Sequence, residues 1–404
     1  MRAVVFTLGC KVNEVESAQI LAELDRRGWE TCDELSYADI YVLNTCAVTK
    51  EAERKSRQLI SRALKFNPSA RVYVCGCASE KDKGQFEKPN VRFVGGARDK
   101  EKVIGAIAED FGGEVCTALG YPKNVKTRAF IKIEDGCNNF CSYCVIPYLR
   151  GRVKSRSIED ITGEIAACTA PEIVLTGINI SAYDGCTEGL TGLIKALTFT
   201  DKRVRLGSLE CNVIDDDFLT ALKNLKDFAP QFHLSLQSGS NAVLRAMNRH
   251  YTREEYLEKC ALIYAYFPNG AVTTDIIAGF CGETEDDFSQ SLTIIEEAGF
   301  ARVHAFAFSP REGTKAFNMP DVPKEVKSER LHRLLKAGAV AAEKYVKKQL
   351  GREYAAIFEE FDGEYTCGYT ENYIKVYVAG EHAGKKAVKL KEPFRDGVIA
   401  EIIN

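Results

Sequence analysis

Six short β-rich runs, separated by stretches with helical periodicity, occupy residues 129–308 and leave few folds open to the middle of the chain. They are Ala129–Ile133, Ile173–Thr176, Val204–Leu206, Phe232–Leu236, Val272–Ala278 and Arg302–Phe308, with helices such as Arg253–Phe267 and Glu285–Ala298 between them. Strands joined by helices pair in parallel, and six such repeats predict a full or partial parallel barrel rather than an open sheet. Chemistry in such barrels sits at the C-terminal ends of the strands. The first ~120 residues carry the same alternation on a smaller scale. Strand candidates there are Val4–Leu8, Ile40–Leu43 and Arg71–Val74, with one helix bearing Ile20, Leu21 and Leu24 on a face and another, Glu51–Phe66, stopped by Asn67-Pro68. That order predicts a doubly wound parallel sheet. After Pro323 a long helix runs to about Leu350, and residues 352–404 then change character. Val, Ile, Tyr and Phe alternate with turns at Asp362-Gly363, Glu371-Asn372, Ala379-Gly380 and Asp396-Gly397, the pattern of a small all-β barrel of about five strands. The chain is therefore expected to be α/β in three parts, 1–122, 123–349 with its linker helix, and 350–404. Gly112-Gly113 and Gly120-Tyr121-Pro122 form the first junction.

Fifteen cysteines in a chain of 404 residues need a reason. No apolar run approaches the ~18 residues of a membrane helix, so no membrane association is expected. The start, Met1–Gly9, is too short an apolar stretch for a secretory segment. Cytoplasm is the expected compartment, and there metal ligation or catalysis explains thiols better than disulfides do. A formal charge of −3 supplies no overall attraction to nucleic acid, so any RNA contact must come from local basic faces.

The strongest local signal is Gly136-Cys137-Asn138-Asn139-Phe140-Cys141-Ser142-Tyr143-Cys144, directly after the first strand of the middle region. The spacing C-x3-C-x2-C lets three thiolates from one polar loop converge on one metal centre. A structural zinc site requires four closed ligands, and no second cysteine pair or nearby histidine follows Cys144. Three thiolates on a cube of four irons leave one iron open to a chelating cosubstrate, so an iron–sulfur cluster is the better fit.

Cys10, Cys46 and Cys77 are far apart in sequence, yet each follows a predicted parallel strand of the first region. The C-terminal ends of adjacent parallel strands meet at one edge of a sheet, where ligands collect. A single such cysteine would read as an inert buried thiol, whereas three at equivalent strand ends read as a site. Cys75 is a rival to Cys77: if the strand continues through it, period-two alternation points both side chains to one face.

These segments resemble the methylthiotransferase family of radical S-adenosylmethionine (SAM) enzymes. Thr7-Leu8-Gly9-Cys10-Lys11-Val12-Asn13, Asn44-Thr45-Cys46 and Gly76-Cys77-Ala78 look like the cysteine motifs of the family's N-terminal domain. The Cys137–Cys144 loop looks like the radical SAM signature. Thr176-Gly177-Ile178-Asn179, Arg205–Glu210, Ser235–Gly239 and Asp275–Phe280 match the family's barrel segments, and the tail resembles its RNA-binding TRAM domain. The resemblance spans essentially the whole chain. It implies a Rossmann-like N-terminal domain, a partial (β/α)6 TIM-type radical SAM barrel and a TRAM-like β-barrel. It also implies two 4Fe–4S clusters, one on Cys137, Cys141 and Cys144 and one on Cys10, Cys46 and Cys77, the latter choice favouring Cys77 over Cys75. SAM would serve as radical source and methyl donor, packed by Tyr143 and contacted by Gly177, Asn179 and Gln237. Hydrogen abstraction at C2 of adenine, sulfur insertion and methylation would follow, with a sulfur donor and a low-potential electron donor such as flavodoxin or ferredoxin as partners. The other cysteines, Cys32, Cys116, Cys168, Cys186, Cys211, Cys260, Cys281 and Cys367, match no ligand motif and read as core or incidental.

The Gly9–Asn13 form and the loop Asp135–Cys144 look most like the branch that acts on N6-threonylcarbamoyladenosine at tRNA position 37, in the anticodon loop, where an unpaired base is accessible. Alternatives are isopentenyladenosine in tRNA, an aspartate of a ribosomal protein, a cobalamin-dependent radical SAM enzyme, or an RNA-binding protein with structural clusters. Basic stretches offer phosphate contacts: Lys50–Lys65, Lys324–Lys348 and, flanking the expected active site, Arg150, Arg152, Lys154 and Arg156. Tyr365, Tyr369, Tyr373 and Tyr377 are set to stack bases or to pack the tail barrel. Cys211 and Cys281 stand where the family usually carries proline.

Overall fold

The computed structural model describes residues 1–47, 49–113, 119–120 and 127–403. Two compact units divide the chain: Met1–Lys123 with Asp135–Asn138 and Cys144–Lys154, and Asn124–Glu134 with Asn139–Tyr143 and Ser155–Asn404. Cys116, Tyr121, Pro122 and the expected boundary at 122/123 lie outside the described residues.

The first unit opens with β1 (Arg2–Thr7), α1 (Lys11–Arg26), β2 (Glu30–Cys32), β3 (Ile40–Thr45), α2 (Lys50–Ala63), β4 (Arg71–Gly76), α3 (Cys77–Lys81), β5 (Val91–Val94) and α4 (Lys100–Phe111). Its strands form one parallel sheet in the order β2-β1-β3-β4-β5. Period-two alternation sorts the side chains between two faces. Val4, Tyr41, Leu43, Val72 and Val74 pack with Leu59 and Ile60 of α2. Ala3, Val5, Ile40, Val42 and Tyr73 pack with Ile20 and Leu24 of α1 and with Val103, Ile104 and Ile107 of α4. Each fully buried Val, Leu or Ile contributes about 1.5–3 kcal/mol. Thr49 caps α2 by accepting from the Ala52 amide, and the helix ends before Asn67-Pro68, as the sequence predicts. The sheet has two strands more than predicted. Both β2 and β5 are short, half-exposed edges, so neither carries the hydrophobic run that announces a buried strand.

Beyond α4 come β6 (Arg128–Lys132), β7 (Glu134–Asp135), α5 (Ile146–Arg150), which belongs to the first unit, and β8 (Lys154–Ser155). The second unit continues with α6 (Ile158–Ala167), β9 (Glu172–Thr176), α7 (Gly189–Ala196), β10 (Arg203–Leu206), β11 (Ser208–Leu209), α8 (Asp216–Lys223), β12 (Gln231–Leu234), α9 (Asn241–Ala246), α10 (Arg253–Tyr266), β13 (Ala271–Ala278), α11 (Glu285–Glu297) and β14 (Arg302–Ala307). Two sheets, in the orders β10-β9-β6 and β11-β12-β13-β14, are parallel throughout, and β7 pairs with β8 in a separate two-stranded sheet. Gly207 separates β10 from β11, so the two sheets together make one arc of strands in chain order. Among the described residues no ladder joins β14 to β6, and the barrel is partial. Capping boxes at Thr252/Glu255 and Thr284/Asp287 start α10 and α11.

Helix α12 (Lys324–Gln349) lays Leu334 and Ala341 on the barrel core and leads into β15 (Glu353–Phe361), β16 (Tyr365–Thr370), β17 (Lys375–Ala379), β18 (Lys385–Phe394) and β19 (Gly397–Ile402). These five strands close into a small barrel around Ala356, Phe358, Val376, Val388, Leu390 and Val398. The small barrel sits on the N-terminal ends of β6, β9 and β10. Arg128 pairs with Glu359 at 2.8 Å, Arg203 donates to the Ala355 carbonyl at 3.0 Å, and Lys385 pairs with Asp227 at 2.6 Å. Tyr369 and Tyr373 stack on each other, with Arg128 and Arg205 over the Tyr373 ring. Tyr365 and Tyr377 both pack on Phe394. No helix among the described residues is long and apolar enough to cross a membrane.

Candidate functional site

The loop from Gly136 to Cys144 leaves the C-terminal end of β6 and β7, the end opposite the small barrel. Gly136 has φ +88°, and a Cβ there would lie 2.2 Å from the Arg152 carbonyl oxygen, so only glycine lets the chain pass. The Cys137 amide donates to the Gly151 carbonyl at 3.1 Å. The middle of the loop is pinned by the barrel. Asn139 donates to Glu210 at 2.5 Å, Asn248 donates to the Asn139 and Phe140 carbonyls, and the Ser142 amide donates to the Met247 carbonyl at 3.0 Å. Cys141 is buried, and its Sγ accepts from Arg249 Nη1 at 3.3 Å. Arg249 also pairs with Glu210 at 3.1 Å and donates to the Tyr251 hydroxyl at 3.0 Å. Burial opposes the charge on Arg249, but Tyr251, Tyr143, Cys141 and Glu210 around it hold its pKa above the ordinary value. Cys137 and Cys144 are half-buried.

In the first unit, Cys10, Cys46 and Cys77 stand at the C-terminal ends of β1, β3 and β4, three neighbouring strands. Cys10 is the exposed N-cap of α1, while Cys46 and Cys77 are buried. Cys46 Sγ lies 3.2 Å from where a Cβ on Gly9 would stand, so the first and second cysteine loops touch. Asn13 braces both: its Nδ2 donates to the Leu8 carbonyl at 2.9 Å and to the Thr45 carbonyl at 3.1 Å, and its Oδ1 accepts from the Cys10 thiol at 3.6 Å. Gly76, at φ +111°, ends β4, and a Cβ on it would lie 2.4 Å from the Thr45 oxygen. That glycine turns the chain, so Cys75 stays in the core shared with α1 and α4 while Cys77 opens α3 on the other face. The strand does not run on through both, and the expected common face does not arise. Burial pushes the Cys77 thiol up, and the guanidinium of Arg150, whose Nε donates to its Sγ at 3.3 Å, pulls against it. No three described His, Cys, Asp or Glu side chains converge closely enough to hold a single metal ion. Three thiolates, whether at three strand ends or along one loop, suit three corners of an iron–sulfur cube with the fourth iron open, and a cationic donor on a thiol favours the ligating thiolate.

Residues 2–96 match the model described as Uncharacterized protein family UPF0004, and residues 131–295 match the Radical SAM superfamily. The threonylcarbamoyladenosine tRNA methylthiotransferase MtaB of Bacillus subtilis (strain 168) is 34% identical over 440 residues, covering 100% of this chain and 97% of that protein. MtaB of Chlamydia pneumoniae is 36% identical over 408 residues, covering 98% and 97%. The chain belongs to the radical SAM methylthiotransferase family. A sister group is also similar: the tRNA-2-methylthio-N(6)-dimethylallyladenosine synthase of Aliarcobacter butzleri is 33% identical, covering 98% of each chain. Among solved structures, the radical SAM methyltransferase TsrM from Kitasatospora setae, with cobalamin and a 4Fe–4S cluster bound, has a TM-score of 0.55 at 13% identity, covering 76% of this chain and 75% of that one. At that identity the likeness is one of fold.

In this methylthiotransferase the residues expected to contact SAM lie in the Cys137–Cys144 loop (Tyr143) and in the turns that follow β9 (Gly177, Asn179) and β12 (Gln237). Tyr143 is half-buried against Phe280, with ring centroids 6.4 Å apart. Gly177 follows β9, and a Cβ there would lie 2.2 Å from Glu134 Oε1, which also accepts from the Asn179 amide at 2.5 Å. Gln237, in the left-handed region at φ +75°, is tied by its amide to the Asp275 carbonyl at 2.8 Å. Cys211 and Cys281 are buried, and burial pushes the Cys211 thiol up to about 12.

Several members of the basic stretches are held by carboxylates of the protein itself. Arg150 is turned inward with no side-chain exposure, and Arg156 pairs with Asp160 and Glu164. On α12, Lys327 and Arg330 are buried against Asp321 and Glu283, and Arg333, Lys344 and Lys347 pair with Glu285, Glu296 and Glu343. Arg152 and Lys154 are exposed. Glu16 and Lys100, a buried pair 3.3 Å apart, and Arg249 with Glu210 were not singled out by their sequence context. A polar residue three after a cysteine was the available signal for Asn13; the partners of Arg249 and Lys100 had none.

Proposed function

We propose that this protein uses an iron–sulfur cluster and SAM to convert N6-threonylcarbamoyladenosine at position 37 of tRNA into its 2-methylthio derivative. Similarity over the whole chain to relatives that share one name and substrate, from 33% to 36% identity, carries the reading. The finer assignment is two clusters, one held by Cys137, Cys141 and Cys144 and one by Cys10, Cys46 and Cys77. Bound there, they supply the reductive cleavage of SAM and the sulfur that is transferred. The chain's own groups prepare that chemistry. Arg249 and Arg150 stabilise the thiolates of Cys141 and Cys77, Gly136 and Gly76 let the backbone close on the sites, and Gly177, Asn179, Gln237 and Tyr143 frame the place for SAM. The further partners are a sulfur donor and a low-potential electron donor such as flavodoxin or ferredoxin, and the compartment is the cytoplasm, where tRNA resides.

Deleting the gene is expected to remove 2-methylthio-N6-threonylcarbamoyladenosine from total tRNA, with its unmethylthiolated precursor accumulating, as read by nucleoside mass spectrometry. Loss of a methylthio-isopentenyl nucleoside instead would reassign the substrate. Anaerobically reconstituted protein is expected to hold about eight iron and eight sulfide per chain, falling to about four when Cys10, Cys46 and Cys77 are all alanine. A wild-type value near four would remove the second cluster.

A further inference from the structure

Arg150 is, with Arg203, one of the two largest fully buried side chains among the described residues, and burying a guanidinium is costly unless every N–H finds a partner. Its partners are specific. Nε donates to Cys77 Sγ at 3.3 Å, and Nη2 donates to Asn13 Oδ1 at 2.8 Å. Nη1 donates to Glu16 at 2.9 Å and to both oxygens of Asp135 at 3.0 and 3.1 Å. Asn13 in turn holds the Cys10 thiol and the carbonyl just before Cys46, so one guanidinium reaches all three cysteine loops of the sheet, directly or through one side chain. Asp135 precedes Gly136 and Cys137, and its Oδ1 also accepts from the Gly136 amide at 2.8 Å. Arg150 itself ends α5, the helix that begins two residues after Cys144. Every one of these groups belongs to the first unit.

We propose that Arg150 is a positioning residue that fastens the Cys10, Cys46 and Cys77 loops to the segment entering Cys137, and places a permanent positive charge against the sulfur of the N-terminal cluster. The inference rests on the two-cluster reading. A fixed cation and a hydrogen bond to a ligand sulfur both favour the reduced, more negative form of a cluster, so they raise its potential. The planar fork, which lysine lacks, is what allows simultaneous contact with Cys77, Asn13 and Asp135.

The test uses full-length protein in which Cys137, Cys141 and Cys144 are alanine, so that only the N-terminal cluster is observed. Arg150, Arg150→Lys and Arg150→Gln are compared after anaerobic reconstitution by iron quantitation and by a redox titration followed by electron paramagnetic resonance. Arg150→Gln is expected to lower the reduction equilibrium tenfold, about 59 mV for one electron, and Arg150→Lys to recover most of it. In otherwise wild-type holoenzyme, both substitutions are expected to raise the SAM consumed per methylthiolated tRNA by at least about tenfold, because lysine restores charge but not the fork. An Arg150→Gln potential that matches wild type overturns the inference, and so does an Arg150→Lys enzyme with wild-type coupling. If Arg150→Gln takes up no iron, the Arg150→Lys coupling alone decides in the same way. A background protein that binds no iron with Arg150 intact defeats the two-cluster reading, and this inference with it.

Discussion

Replacing Cys141 with alanine is expected to abolish SAM cleavage, lowering 5′-deoxyadenosine formation by more than about 100-fold, beyond the loss usual when a residue behind a metal ligand is changed. The reason lies in the geometry around the thiol. Of the three cysteines in its loop, Cys141 is the buried one, and it receives a guanidinium N–H from Arg249 at 3.3 Å. Arg249 keeps Glu210, Tyr251 and the Ser235 carbonyl when the thiol is gone, so the loop keeps its anchors and the fold survives the change. The loss is then chemical rather than structural. Chromatography of reaction mixtures reduced with dithionite measures it, and circular dichroism verifies that the variant is folded. Cys260→Ala is the control: that thiol is also buried, packs in the core on α10 and should leave cleavage intact. Cleavage by the Cys141 variant at the wild-type rate would remove the enzyme reading altogether.

Glu172→Gln should be the most destabilising single polar substitution outside the cysteine sites, by about 3–5 kcal/mol at pH 7, because it leaves buried cations without their counter-charge. Glu172 begins β9 with 1% exposure and lies between Arg205, at 2.9 and 3.2 Å, and Arg128. Arg128 goes on to Glu359 of the small barrel, so the loss should loosen the tail as well as the barrel end. Burial pushes the Glu172 carboxyl up, but Arg205 and Arg128 together outweigh it and hold the group below its ordinary 4.5. A carboxyl lowered in the folded state stabilises it fully above its unfolded pKa and loses that contribution as pH falls through the folded value. Urea denaturation should therefore show a wide gap between wild type and variant at pH 7 that narrows as the pH drops below 4.5. A gap independent of pH would mean that the loss is one of shape rather than charge.

Much of the architecture was legible because its signals are local. Short β-rich apolar runs at Val4–Leu8, Ile40–Leu43 and Arg71–Val74 announce strands covered on both faces, and Gly/Asp turns announce the small closed barrel. The edge strands β2 and β5 escaped notice because an edge buries little and so imposes little pattern on its residues. Charge was the least legible property. A run such as Arg150, Arg152, Lys154 and Arg156 reads as a solvated basic face, yet its first and last members are consumed by carboxylates and a thiol.

The amino-acid order alone was sufficient for the α/β alternation, the closing β-barrel, the short C-x3-C-x2-C loop and the family resemblance, since each depends on neighbours within one turn, strand or loop. Tertiary structure alone decided that Cys75 and Cys77 part company at Gly76, that Arg333 and Lys344 of α12 face Glu285 and Glu296 of α11, and that Arg150 lies inside rather than out. Arg150 meets Glu16 and Asn13 from 134 and 137 positions away. Whether a cation is solvated or buried depends on partners that only folding brings within 3 Å, and no local pattern in the chain encodes that distance.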